Sequence, residues 1–82
     1  MFYVYIIRSI KKKIAYVGFT HISVHDRLIE HNQKKSRWTN MYVPWELIYY
    51  ESYFCEKDAR YREKFLKSGF GNKLVTLIKN NY

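Results

Sequence analysis

The fold is decided by two stretches of sequence, Phe-Tyr-Val-Tyr-Ile-Ile-Arg at residues 2–8 and Ile-Ala-Tyr-Val-Gly-Phe at residues 14–19. Both are rich in β-branched and aromatic side chains, which favour strands. The polar segment between them, residues 9–13, has the length of a hairpin connection. The pattern therefore predicts two antiparallel strands joined by a short hairpin.

A helix is predicted to follow this hairpin. Ser23 stands three residues before Asp26, an arrangement that resembles a capping box at a helix start. We expect the helix to continue to about Lys35, because apolar and boundary residues recur along it at helical spacing: Val24, Leu28 and His31.

The rest of the chain extends the same small fold. We expect a loop at residues 36–45, which contain the only proline, and a third strand at residues 46–53. A second helix is predicted from about residue 56 to residue 68, ending at Gly69 as a left-handed cap. Residues 72–80 suggest a third helix. The predicted class is α+β, with a three-stranded antiparallel sheet flanked by helices in the order β-β-α-β-α-α.

The charge of the chain favours a nucleic-acid partner. Its 15 Lys and Arg residues against 7 Asp and Glu give a net charge of +8 over 82 residues. The distribution is uneven, at +6 for residues 1–40, −2 for residues 41–60 and +4 for the remainder. Concentrated positive charge suits a phosphate backbone. A solubilising surface is the alternative explanation.

Several protein classes are excluded by composition. Cys55 is the only cysteine, so no internal disulfide can form, and no histidine stands near it at a spacing typical of zinc or thiol sites. We find no signal peptide and no apolar run approaching the roughly 18 residues of a membrane span. We expect one soluble, cytoplasmic domain over residues 1–82, with no membrane partner and no small-molecule cofactor.

The tyrosines of the hairpin are the first candidate site residues. Tyr3 and Tyr5 share one face of their strand, and Tyr16 and Gly18 share one face of the next. Pairing of the strands can bring Tyr5 close to Tyr16. Ordinary packing of strand tyrosines is the alternative.

The first helix adds a second pair. Arg27 and His31 are four residues apart and so lie on one helical face. The Arg27 guanidinium can grip a phosphate oxygen, and His31 can donate to a phosphate or relay a proton. Alternatively, Arg27 pairs with Glu30 or Asp26, and His31 is an ordinary boundary histidine.

Glu63 is the third candidate. Its spacing from Ala59 and Leu66 places the carboxylate towards the buried side of a strongly basic helix. Magnesium is often held by one or two carboxylates together with water and substrate phosphate. A solvated ion pair with Lys67, four residues on, is the alternative.

Taken together, these motifs resemble the GIY-YIG nuclease family over nearly the whole chain. Residues 3–5 and 16–18 stand at its two tripeptides, and residues 26–32 resemble the helix with its arginine and histidine. Residues 44–51 resemble its third strand, and residues 62–69 the helix with its metal-binding glutamate. The chain resembles in particular small single-domain members related to the N-terminal nuclease module of the excision-repair nuclease.

The chain departs from the family pattern at a few positions. Tyr3 replaces a glycine, and Val4 and Val17 replace isoleucines, but both functional tyrosines remain. Phe19 stands where some members carry a lysine. Asn72 is the nearest candidate for an asparagine that some members carry after the glutamate helix.

The resemblance implies hydrolysis of phosphodiester bonds at a single metal site. Glu63 would bind Mg²⁺ or Mn²⁺, and Arg27 would neutralise charge on the phosphate, with His31 supporting it or moving a proton. Tyr16 would orient or deprotonate the attacking water, with Tyr5 hydrogen-bonding nearby. Deprotonation of that water by the metal is the rival account.

The sequence thus predicts a metal-dependent DNA endonuclease or nickase in DNA repair, recombination or processing, acting on branched, single-stranded or other DNA. The residues expected to contact DNA are Lys11, Lys12, Lys13, Lys34, Lys35, Arg37 and Asn72. Two alternatives stay open. One is a nucleic-acid-binding module of the same fold with little cleavage. The other is a protein-interaction domain that uses the aromatic residues Trp38, Tyr42 and Trp45, although Trp38 and Trp45 could also stack on bases or cover the core.

Overall fold

The computed structural model describes residues 1–33 and 38–82, and its elements follow the predicted order. The strands are β1 (Phe2–Ser9), β2 (Ala15–Thr20) and β3 (Trp45–Tyr53). The helices are α1 (Val24–Asn32), α2 (Glu56–Leu66) and α3 (Gly69–Asn81), and a short 3₁₀ turn spans Thr39–Tyr42. The α+β class and the order β-β-α-β-α-α are confirmed.

The three strands form one antiparallel sheet in the order β2-β1-β3. In the central strand, Tyr5 lies opposite Gly18 of β2 and opposite Tyr50 of β3. Side chains of β1 alternate between the two sides of the sheet, as a strand requires. Each side of the sheet therefore receives every second residue of β1.

The alternation of β1 divides the core in two. Val4 and Ile6 pack with buried residues of α2 and α3, which are Ala59, Leu66 and Val75. Tyr5 and Ile7 pack on the other side with Val24 of α1 and Trp45. We call the first the aliphatic face and the second the tyrosine face.

Helix α1 begins as predicted, with the Ser23 side chain accepting a hydrogen bond from the Asp26 amide at 3.1 Å. It ends at Asn32, earlier than predicted, and Lys34 and Lys35 lie outside the described residues. The Asn32 side chain accepts from the Trp45 amide at 2.6 Å and donates to the Trp45 carbonyl at 3.1 Å. The end of α1 is thereby tied to the start of β3.

The predicted left-handed cap at Gly69 was wrong. No glycine in the described residues has a positive φ, and Gly69 is the first residue of α3. The Ser68 hydroxyl caps this helix by accepting from the Gly71 amide at 3.3 Å, so α3 starts three residues before the predicted residue 72. A Cβ at Gly71 would lie 1.9 Å from the Phe65 carbonyl oxygen. Glycine at this position permits the close approach of α2 and α3.

Helix α2 is attached to the sheet by a partly buried acid. Glu51 of β3 accepts two hydrogen bonds from the Arg62 guanidinium, at 2.9 and 3.0 Å. The Tyr49 and Tyr53 hydroxyls also donate to it. Burial alone would raise the pKa of Glu51, but the bonds from Arg62 and the two tyrosines lower it overall. Arg62 directly precedes Glu63, so the Arg62–Glu51 ion pair helps to set the position of Glu63.

None of the helices in residues 1–33 and 38–82 combines the length and the apolar content needed to cross a bilayer.

Candidate active site

The candidate site is built around Gly18, because the ring of Tyr5 lies directly against it. A Cβ added at Gly18 would be 2.3 Å from both Cζ and Oη of Tyr5. Any larger residue would therefore displace the Tyr5 hydroxyl. Gly18 was predicted only to share a strand face with Tyr16, although a glycine within a strand often marks such a close approach.

Behind Tyr5 runs a buried chain of hydrogen bonds. The Tyr5 hydroxyl lies 2.8 Å from Nε2 of His31, and Nδ1 of His31 lies 2.8 Å from the Thr39 hydroxyl. All three side chains are almost wholly buried. Thr39 was not predicted as a site residue, because its contact with His31 forms only when the 3₁₀ turn packs against α1. No sequence spacing indicates that contact.

Burial keeps this chain of groups uncharged at neutral pH. It lowers the pKa of His31 to about 4, and the positive charge of Arg27 acts in the same direction. Burial also raises the pKa of Tyr5, an effect that Arg27 opposes. A neutral histidine has one donor and one acceptor nitrogen. The Tyr5 hydroxyl can thus donate to His31 while His31 donates to Thr39, or both bonds can run the other way.

Tyr16 lies beside Tyr5, as the hairpin prediction required. Its ring centroid is 6.5 Å from that of Tyr5 and 5.4 Å from that of His31. Tyr16 is only half-buried, whereas Tyr5 is 1% exposed. Of the two phenols, Tyr16 is the more exposed to solvent.

Arg27 borders the same site but already has a partner. Its Nη1 donates to Glu30 at 2.8 Å, which is the pairing considered as the alternative. Partial burial lowers the pKa of Arg27, but Glu30 and the nearby Tyr5 hydroxyl raise it overall. Arg27 therefore stays charged, and its charge acts on Tyr5 and His31.

Glu63 approaches the tyrosines from α2. Its side chain is 21% exposed and pairs with Lys67 at 3.1 Å, and the Lys67 ammonium lies 5.5 Å from the Tyr16 ring centroid. The charge of Glu63 contributes to the raised pKa of Tyr5. Lys67 was considered in the sequence only as a partner of Glu63, and its contact with Tyr16 depends on the packing of α2 against β2.

At this site the Glu63 carboxylate can serve as a ligand of a divalent metal ion. No group of three or more His, Cys, Asp or Glu in residues 1–33 and 38–82 is arranged to hold a metal. Glu63 can supply one carboxylate ligand, leaving the remaining positions to water and substrate phosphate, a common arrangement for Mg²⁺. Exposed ion pairs such as Glu63–Lys67 are weak, so this pairing is a small obstacle to metal binding.

The described lysines among the residues expected to contact DNA lie in a cleft separate from this site. Lys11, Lys12 and Lys13 are exposed at the β1–β2 connection, where they line a separate cleft with Arg8 and Lys79. Asn72 is exposed in the first turns of α3. The remaining three, Lys34, Lys35 and Arg37, lie outside the described residues.

The aromatic residues near Tyr16 divide between core and surface. Trp45 is 2% exposed and its indole donates to the Thr39 carbonyl at 2.8 Å, so it covers the core. Trp38 is 46% exposed and its ring centroid lies 5.7 Å from that of Tyr16. Trp38 therefore extends the exposed aromatic surface beside Tyr16.

Comparison with known proteins identifies the family. No curated protein and no solved structure gives a significant match to the chain. A family model described as the GIY-YIG catalytic domain matches residues 1–75. The match contains all three strands, α1, α2 and five candidate residues: Tyr5, Tyr16, Arg27, His31 and Glu63. Because it covers most of the 82 residues, the chain belongs to the GIY-YIG catalytic domain family, a family of nucleases.

Proposed function

We propose that the protein is a metal-dependent DNA endonuclease or nickase that hydrolyses phosphodiester bonds. The observation that carries the proposal is the grouping around Gly18, where Tyr5 and Tyr16 lie within reach of the charges of Arg27 and Glu63. A guanidinium and a metal-binding carboxylate can stabilise the charge that develops on a phosphate, and a half-buried phenol beside them can orient a water molecule.

The proposed role of Arg27 is to bind the phosphate directly, and that of Glu63 is to bind the metal that contacts it. The Arg27 guanidinium retains donors beyond the one that bonds Glu30, and these can bind a non-bridging phosphate oxygen. Glu63 would hold Mg²⁺ or Mn²⁺ together with water. When bound, the metal supplies positive charge that stabilises the phosphate and the departing oxygen.

Tyr16 is the residue proposed to position the attacking water, and it is the candidate for accepting its proton. Tyr5 is less suited to that task, because its hydroxyl is buried and already hydrogen-bonded to His31, and burial raises its pKa further. His31 is fully buried and both of its ring nitrogens are hydrogen-bonded, so it acts as a positioning residue for Tyr5. Direct donation by His31 to phosphate does not fit this burial.

The test is nicking of supercoiled plasmid DNA with Mg²⁺ or Mn²⁺. We expect Glu63→Ala and Arg27→Ala each to reduce the rate by on the order of 100-fold or more, since each removes charge that stabilises the transition state. Glu56→Ala is the matched control, because Glu56 lies on the same helix in an exposed i,i+4 pair with Arg60. Circular dichroism verifies folding of each variant. Unchanged cutting by Glu63→Ala would refute the metal assignment.

A nucleic-acid-binding module with little cleavage is the second candidate. The pairings of Arg27 with Glu30 and Glu63 with Lys67 favour it, because both proposed catalytic charges already have partners. Its signature is DNA binding that weakens with salt, with no cutting stimulated by metal.

The proposed activity fits a cytoplasmic role in DNA repair, recombination or processing. A panel of plain, nicked, branched and single-stranded DNA tests whether repair or recombination fits the protein. Preferential cutting at branches supports repair or recombination, and equal cutting of all substrates argues against both.

A further inference from the structure

Helix α2 exposes aromatic side chains on the surface that faces away from Glu63. Tyr61 is 77% exposed and Phe65 is 39% exposed, and Phe70, at the start of α3, is 82% exposed. Tyr61 and Phe65 are four residues apart and therefore lie on one side of the helix. Neither side chain belongs to a core cluster or to the candidate active site.

Two adjoining clefts flank these aromatic residues. One, of about 480 Å³, is lined by Tyr53, Asp58, Tyr61, Arg62 and Phe65. The other, of about 290 Å³, is lined by Tyr61, Lys64, Phe65 and Ser68. Tyr61 and Phe65 belong to both, so they form a ridge with space for a flat group on either side.

Cations are interleaved with the rings. The Arg62 guanidinium lies 5.4 Å from the Phe65 ring centroid, and the Lys73 ammonium lies 5.7 Å from that of Phe70. The charge of Arg62 is largely satisfied by Glu51, which leaves Lys64 and Lys73 to attract an anion. The negative charge of Asp58, which lines the first cleft, counteracts the attraction of an anion by these lysines. Exposed rings alternating with lysines are typical of surfaces that bind single-stranded nucleic acid.

We propose that this face of α2, defined by Tyr61, Phe65 and Lys64, binds an unpaired strand of nucleic acid whose bases stack on the two rings. Stacking tolerates any base, and the lysines complement the phosphates. Exposed aromatic residues also occur at protein interfaces, but lysine is depleted there, so the lysines of this face favour nucleic acid over a protein partner.

The inference deepens the proposed function by naming a substrate class. Glu63 lies two residues from both Tyr61 and Phe65 on the opposite side of α2, so one helix would hold both the cleavage position and an unpaired strand. The favoured substrate is then DNA with a single-stranded segment beside the bond to be cut.

Fluorescence anisotropy of a labelled oligothymidine strand in EDTA tests the binding without cleavage. The variant with both Tyr61→Ala and Phe65→Ala should bind about 5- to 150-fold more weakly if one stacked base is lost, and more weakly still if two are lost. Its affinity for a duplex of equal length should fall less. Asp58→Asn should bind the single strand more tightly, because it removes the opposing charge.

Phe54→Ala is the matched control, because Phe54 is 91% exposed but lines neither cleft, and it should bind as the wild type does. Equal affinities of the double variant and the wild type would overturn the inference, as would equal losses for single strand and duplex. A wild-type dimer that the double variant converts to a monomer would assign the surface to a second copy instead.

Failure of this inference can be told apart from failure of the proposed function. Wild-type protein that cuts plasmid with metal, together with a double variant that binds single strands normally, overturns only the α2 surface. Wild-type protein that binds single strands through Tyr61 and Phe65 but never cuts overturns only the nuclease proposal.

Discussion

The two faces of the sheet share β1 but differ in chemistry. On the aliphatic face, Val4 and Ile6 meet Leu66 in contacts between aliphatic carbon atoms. On the tyrosine face, Tyr5 enters a hydrogen-bonded chain with His31 and Thr39. The aliphatic face stabilises mainly through burial, which is non-directional. The tyrosine face depends on positions accurate to a few tenths of an ångström, because hydrogen bonds weaken quickly with distance and angle.

This contrast predicts that the largest loss of stability comes from truncation on the aliphatic face. Leu66→Ala should lower the free energy of unfolding by about 2–5 kcal/mol, because it deletes fully buried methyl groups and leaves a cavity. Urea denaturation measures the change. Leu77→Ala is the control, since Leu77 is 60% exposed on α3 and should change stability by less than about 0.5 kcal/mol. Similar effects of the two variants would contradict the burial of Leu66 in the aliphatic face.

Acid should destabilise the protein through the tyrosine face. His31 has a pKa of about 4 when folded, against an ordinary value of 6.5. Between these values the unfolded chain binds a proton that the folded chain does not, so the free energy of unfolding falls as pH falls from 6.5 to 4. The loss from this group is about 3 kcal/mol and is complete below pH 4.

Urea denaturation at several pH values tests this in the wild type and in His31→Gln. The variant lacks the titrating ring and should lose less stability across the same window, whatever its stability at pH 7. Parallel curves for the two proteins would show that the acid sensitivity arises elsewhere.

Addition of a single methyl group at Gly18 tests how closely the tyrosine face is packed. Gly18→Ala should cost about 1–3 kcal/mol and displace the Tyr5 hydroxyl from His31, because the new methyl group would overlap the phenol. Gly69→Ala is the matched control, since no atom lies within 4 Å of a Cβ built there. Thermal denaturation of both variants decides the matter. A stable Gly18→Ala protein with full nicking activity would remove Gly18 from the site.

The smallest effect is expected where α2 covers the edge of the sheet. The Arg60 guanidinium lies 4.2 Å from the Phe19 ring centroid and pairs with Glu56 in solvent. Such exposed contacts contribute little, so Arg60→Ala should lower stability by less than about 1 kcal/mol. A loss above about 2 kcal/mol in urea denaturation would mean that this edge, and not the buried aliphatic face alone, holds α2 on the sheet.

The features that could be predicted from the sequence depend on interactions between residues that are close together in the chain. Period-two alternation and the Ser23 cap are local signals, so the hairpin and the start of α1 could be predicted. The prediction of a left-handed cap at Gly69 was wrong, because the Ser68 hydroxyl caps the N-terminus of α3 and Gly69 is the first residue of that helix. The contacts of Thr39 with His31 and of Lys67 with Tyr16 join segments that no periodicity relates.

The sequence by itself determined the order of strands and helices, the family, and the face of β1 on which Tyr5 lies, because these depend on local propensity, spacing and side-chain alternation. Only the tertiary structure decided that Gly18 accommodates the Tyr5 ring, that His31 is buried and uncharged, and that Lys67 lies between Glu63 and Tyr16. Burial, desolvation and cross-element contacts arise only when the sheet and helices pack together, and these set the chemistry of the site.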